Sequence, residues 1–206
     1  MVAAGKTKKK PEGPRLTRDD WLDASFKAVA EGGFDSVRVL LIADVLGVTR
    51  GSFYWHFTDH ADLIGALLAR WRERELEQDK RLSADASPDP QADLERLLDA
   101  ALSLADLDSI RFELALRGFG RRDAYVAKML VEVDQARMQL FEEKFQRLTG
   151  NPKAASELAS LFYLAIVGSY QALTRPVNSP KIKDYLKGII AHYLIRQQAP
   201  ATPAPV

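Results

Sequence analysis

Cysteine is absent from the chain. That excludes a disulfide framework and any thiolate metal or redox centre. Histidine is scarce, with only His56, His60 and His192. The first two lie four apart, but no third ligand stands near them, so the spacing predicts no metal site. Charge of one sign is missing too: the formal net charge is +1, and the bulk balance does not point to a nucleic acid. The longest apolar stretch, around Leu161–Val167, falls far short of the ~20 residues that span a bilayer. The first residues carry no apolar leader core, and the expectation is a cytoplasmic protein. No Ser–His–Asp order and no glycine-rich phosphate loop is seen, and most carboxylates fall on charged helix faces. The chain therefore reads as a non-enzyme with no cofactor.

What is present is ordinary globular material, 47% apolar and 28% charged over 206 residues, enough for one sizeable helical domain or two small ones. Helical periodicity dominates and no stretch reads as a strand, so the fold class is all-α. Residues 15–62 read as one unit, 63–197 as a larger helical unit, and 1–14 and 198–206 as disordered tails. Charge is placed unevenly: Lys6, Lys8, Lys9, Lys10, Arg15 and Arg18 face Glu12 alone in the first 18 residues. Such an arm is either a solubilising tail or one drawn to a polyanion.

Helix 1 is expected from Thr17, which pairs with Asp20 as a capping box. Leu22, Phe26, Val29 and Ala30 share one face, and Gly32-Gly33 stops the helix. Helix 2 covers roughly 39–46, with either Leu40, Ala43 and Leu46 or Ile42 and Val45 turned inward. Gly47 ends it as a left-handed cap. Helix 3 follows at once, with Thr49 as N-cap and Val48 clipped to Phe53 as a hydrophobic staple. Two short helices joined through a glycine describe a helix-turn-helix.

The stretch from Gly47 to Phe57, GVTRGSFYWHF, closes on Phe53, Tyr54, Trp55 and Phe57. One core cannot hold all four rings. With Phe53 set inward, about 100° of rotation per residue brings Phe57 beside it and turns Gly51 and Trp55 to the opposite side, Ser52 and Tyr54 flanking. Arg50 then sits in the first turn, where recognition helices meet base edges and where arginine binds guanine through two hydrogen bonds. Gly51 clears the approach of the backbone. Tyr54 and His56 carry donors suited to phosphates.

This stretch and its surroundings, residues 17–68, resemble the DNA-binding domain of TetR-family transcriptional regulators. The resemblance implies an all-helical homodimer on a palindromic operator, commonly a repressor released by a small ligand. Carried over by position, Arg50, Ser52 and Trp55 reach bases, while Thr49, Tyr54 and His56 hold the backbone. The chain departs from the family at two places. Arg38 begins helix 2 where a hydroxyl is usual, offering a phosphate contact by charge, with apolar Leu40 and Leu41 following; these two would pack on helix 1 or on the sugar surface of bound DNA. His60 stands where a lysine is common.

Helix 4 runs from about Asp59 to Arg81, its later part, RERELEQDKR, reading mostly as solvated charge. Further helices are expected at about 93–105, 109–118, 123–148 and 153–174, and a last one from Ser179 with Pro180 at its first position. A ligand pocket is expected among the middle helices, with Phe112, Leu116, Phe119, Tyr125, Met129, Phe162, Tyr163, Ile166 and Tyr170 as candidate walls. Arg111, Glu113 and Arg117 lie near where the halves meet, either as solvated salt bridges or as a link between them. Ala165, Gly168, Ser169 and Ala172 make a small-residue stripe, and the last helix carries Ile182, Tyr185, Leu186, Ile189, Ile190, Tyr193 and Leu194. These stripes either bury within one chain or form a four-helix dimer bundle, and the resemblance favours the dimer. The competing function is a helical interaction or ligand-sensing module with weak or lost DNA binding.

Overall fold

The computed structural model describes residues 16–102, 107–171 and 184–191. Among them every regular element is helical: α1 (Arg18–Gly32), α2 (Val39–Val45), α3 (Arg50–Phe53), α4 (His60–Ala84), α5 (Pro90–Ala101), α6 (Leu107–Gly120), α7 (Ala124–Thr149), α8 (Pro152–Gln171) and α9 (184–191). The tails, the basic arm up to Arg15, Ser179 and Pro180 lie outside the described residues, as do Ala172, Ile182, Tyr193 and Leu194. Among the described residues no helix is long and apolar enough to cross a membrane.

Local chemistry sets the helix starts. The Thr17 N–H donates to Asp20 Oδ2 at 2.6 Å and the Asp20 N–H returns to Thr17 Oγ1 at 3.3 Å, satisfying two amide donors that the helix itself leaves unpaired. Asp59 caps α4 through the Asp62 N–H at 2.9 Å, and Asp123 caps α7 through the Val126 N–H at 3.0 Å. In α2 neither expected stripe forms as written. Ile42 and Ala43 are buried, Val39 and Leu46 pack partly beneath them, and Leu40, Leu41 and Val45 are exposed. The inward set at 39, 42, 43 and 46 is the i, i+3, i+4, i+7 pattern of one helix face. Leu40 therefore does not pack on α1.

Two apolar cores stand along α7. Its first half, with Val126, Met129 and Val133, joins Trp21, Phe53, Leu63, Leu67, Trp71, Phe112 and Leu116. Its second half, with Leu140, Phe141 and Phe145, joins Leu94, Leu98, Phe162, Tyr163, Ile166, Leu186 and Ile190. The first core runs across residue 62 without a break, because α4 and α6 pack on α1 and α7 packs on α4 and α6.

The second core is tied by one carboxylate. Asp93 is 3% exposed and accepts from Lys144 at 3.1 Å, Arg96 at 3.2 Å, the Ser87 N–H at 3.1 Å, and Arg147. Burial alone would raise its pKa, but the Ser87 N–H, Lys144 and Arg96 outweigh that and hold the carboxyl below its ordinary value. Lys144 is equally buried, so Asp93→Ala strands an ammonium away from water. The expected loss is about 3–5 kcal/mol, read by urea denaturation followed by circular dichroism.

Candidate nucleic-acid interface and internal cavity

Gly47, with φ of 67°, turns the chain between α2 and α3, a conformation that a Cβ penalises. The Val48 N–H then donates to Ala43 O at 2.9 Å, which brings Thr49 to the N-cap of α3 in extended conformation. The Thr49 hydroxyl makes no backbone capping bond. It lies 3.5 Å from the Ser52 hydroxyl instead. α3 is a single turn, and hydrogen bonds from Trp55 N–H to Ser52 O and from Phe57 N–H to Phe53 O, at 3.3 and 3.0 Å, carry it on to Phe57.

The four rings separate as their rotation demands. Phe53 and Phe57 are buried and stack with centroids 5.4 Å apart. Trp21 meets Phe53 edge-on at 5.4 Å, and the Arg18 guanidinium lies over Phe57 at 4.8 Å. Trp55 is 87% exposed and Tyr54 54%. The Tyr54 ring braces edge-on against Phe53, and its hydroxyl accepts from Arg50 Nη2 at 3.3 Å. Arg50 is thereby oriented along the outer face. Thr49, Arg50 and Gly51 are exposed, while Ser52 and His56 are half-buried on the flanks.

His60 opens α4, and its Nε2 donates to the Val37 carbonyl at 2.6 Å. That bond ties the start of α4 to the turn before α2. It also places His60 next to Arg38, whose Nε donates to Asp35 O at 3.3 Å while the residue stays exposed. His60 is thus a strut as well as a surface residue. Gly51 has no internal reason to be glycine: a Cβ there would meet only Thr49 Oγ1, at an ordinary 3.6 Å.

A cavity of about 320 Å³ opens among α4, α5, α6, α7 and α8, a volume at the lower end of small-molecule sites. Leu82, Leu97, Ile110, Leu114, Leu140, Phe141, Ile166 and Val167 give it apolar walls. A charged network crosses one side. Arg137 binds Glu75 at 2.8 Å and Glu113 at 3.0 Å, and Arg117 binds Glu113 and Asp134 at 2.7 Å each. The Tyr163 hydroxyl donates to Asp134 at 2.5 Å. Burial pushes Glu113 up and the arginines down, but their mutual attraction wins in each case, so the carboxyl sits below its ordinary value and the guanidiniums above theirs. Burial, then the Asp134 bond, raises the Tyr163 phenol.

Of the expected walls, Tyr163, Ile166 and Tyr170 line this cavity. Phe112, Leu116 and Met129 are buried in the first core, with Phe119 packed against it, because Phe26 and Phe34 reach over from α1 and the turn after it. Phe162 is buried against Phe145 at 4.9 Å, and Tyr125 is 65% exposed. Glu75 and Asp79 belong to the stretch read as solvated charge, yet they face the cavity with Leu82. The signal was their spacing: 71, 75, 79 and 82 continue the face that Trp71 buries. Arg117 and Glu113 join the half-buried network, whereas Arg111 pairs with Asp108 at 3.7 Å on the surface.

On α8 and α9, Leu161, Leu164 and Gly168 are exposed with Tyr185 and Ile189, while Leu186 and Ile190 point into the second core. Ala165 and Ser169 are half-buried. The stripe of the last helix is thus divided between two faces, one covered and one open.

Residues 22–67 match the family model described as bacterial regulatory proteins, tetR family. The chain is 26% identical to the HTH-type transcriptional regulator AcrR of Shigella flexneri over 89% of this chain and 80% of that one. It is 27% identical to the HTH-type transcriptional repressor BepR of Brucella suis biovar 1, over 75% and 78%. Among solved structures, one from Saccharomonospora viridis in complex with choline superposes with a TM-score of 0.72 at 19% identity, covering 85% of this chain and 95% of that one.

Gly51→Ala tests the outward face. Relief of glycine's backbone entropy should leave the fold as stable or up to about 1 kcal/mol more stable, while affinity for specific duplex DNA falls. Thermal melts and fluorescence anisotropy read the two effects separately.

Proposed function

We propose that the chain, whose residues 22–67 match the tetR-family model, is a cytoplasmic repressor of that family that holds a palindromic operator as a homodimer and releases it when a small molecule fills the cavity. The observation that carries the reading is the exposed Arg50–Tyr54–Trp55 edge on its two-phenylalanine footing. Arg50, Ser52 and Trp55 read base edges. Thr49, Tyr54, His56, Arg38 and His60 hold phosphates, and Gly51 lets the backbone close in.

The open face of α8 and α9 supports the dimer. A second copy laid on Leu161, Leu164, Gly168, Tyr185 and Ile189 would bury apolar area that one chain leaves in water, and Ala165 and Ser169 border it. Two recognition helices would then lie about one DNA turn apart, 34–36 Å. α4 supports the coupling. It begins at the His60–Val37 strut and lines the cavity with Glu75, Asp79 and Leu82, so one continuous helix of about 37 Å joins effector to operator. The choline-bound structure from Saccharomonospora viridis, which shares this fold, is compatible with a small-molecule effector.

The exposed Leu40, Leu41 and Val45 favour a second reading, an interaction module that has lost DNA binding. Selection from random duplexes, followed by gel shift, decides between them. A repressor returns a palindrome and a steep salt dependence. A module returns no enriched sequence. On the selected operator, Arg50→Ala should cost about 1–3 kcal/mol and relax one base position. Trp55→Ala should abolish specific binding with the melting temperature kept. Leu164→Glu with Ile189→Glu should give monomers by light scattering and lose the operator.

A further inference from the structure

One group in the cavity is left without a counterpart. Each guanidinium there is engaged: Arg137 by Glu75 and Glu113, Arg117 by Glu113 and Asp134, and Arg74 by Ser109 at 2.6 Å. Oδ2 of Asp79 is buried with no hydrogen-bond partner. Among the described lining residues Glu75, Asp79 and Glu113 stand with Arg74, Arg117 and Arg137, but Arg117 is shared with Asp134 from outside the lining. A buried, unpaired carboxylate oxygen is costly unless something supplies the missing charge. Phe141, Tyr163 and Tyr170 line the same space, and ring faces attract cations, best when water is excluded. An anionic ligand has no such opening, since Arg117 and Arg137 are already met by carboxylates and Arg74 is held by Ser109.

We propose that this cavity selects a compact organic cation, a quaternary or protonated amine on an apolar body, whose positive charge sits against Asp79 Oδ2. The proposal rests on reading the cavity as the effector site, and it adds the ligand's charge and the residue that senses it. Asp79 is a poised anchor. Burial pushes its carboxyl up to about 6, Arg137 opposing and Glu75 and Glu113 adding to the rise. The other groups facing the space are Arg74 and Glu75 on α4, Glu113 and Arg117 on α6, Arg137 on α7, and Tyr163 and Tyr170 on α8; α5 brings only Leu97, Ala100 and Ala101. Glu113 is held low and the Arg117 and Arg137 guanidiniums and Tyr163 high, so of the groups whose pKa moves, Asp79 is the one that changes charge near neutrality.

The test is isothermal titration of the full chain with benzyltrimethylammonium, its uncharged carbon isostere neopentylbenzene, and phenylacetate. The cation should bind at least tenfold more tightly than either comparator at pH 7.5. Its affinity should fall about tenfold by pH 5, with an inflection near 6, as the carboxyl takes a proton. Asp79→Asn should erase both the preference for the cation and the pH dependence. Without ligand, Asp79→Asn should melt no lower than the parent at pH 7.5, because a carboxylate whose folded pKa is raised costs stability above that pKa. Equal binding of cation and isostere, tighter binding of phenylacetate, or an Asp79→Asn chain that keeps its cation preference would each overturn the proposal. The same titrations on the complex with selected operator separate the two readings. Cation binding that depends on Asp79 but leaves the operator held sustains the site and removes the effector role. Operator binding with no cation preference removes only the cation.

Discussion

A guanidinium taken out of water has to be met by carboxylates, and Arg137 sets that requirement for four helices at once. It lies on α7 and draws Glu75 from α4 and Glu113 from α6; Glu113 then holds Arg117, which holds Asp134 and stands within 3.4 Å of the Tyr163 hydroxyl on α8. Removing any one member leaves its neighbours charged and uncompensated. The network therefore holds α4, α6, α7 and α8 in one register, and the space they cannot fill is the cavity. The position of α4 follows from this, and with it the seating of the turn that α4 covers.

The helix-turn-helix is the part most open to reading from residues alone, because its determinants are local. The Thr17–Asp20 box, the turn at Gly47 and the division of four rings between two faces need only neighbours within a few positions. Where local rules offered two registers for α2, the choice fell to α1 and α3, whose packing buries Ile42 and Ala43 together. Thr49 shows the same limit. Its type predicts a capping bond, but a hydroxyl neighbour at Ser52 takes its place.

The cavity was harder to foresee because its chemistry is long-range. Glu75 and Arg137 are 62 positions apart, and Arg117 and Tyr163 are 46. Charged residues on a helix look solvated until the partner that buries them is known. Aromatics mislead in the opposite direction: Phe112, Phe119 and Phe162 have the composition of a pocket wall, yet they fill cores because other rings reach them first. The residues that do shape the space announce themselves by falling on a buried face with the wrong polarity, as Glu75 and Asp79 do.

α3 is one turn long, far too short to persist by its own hydrogen bonds. Its shape is lent to it by Phe53 and Phe57, which are held by Trp21 and the Arg18 guanidinium. On the proposed reading, the aim of the outward residues is therefore set by side chains buried beneath them. Changes in the interior beneath α3 would re-aim its outward residues while each of them stays the same.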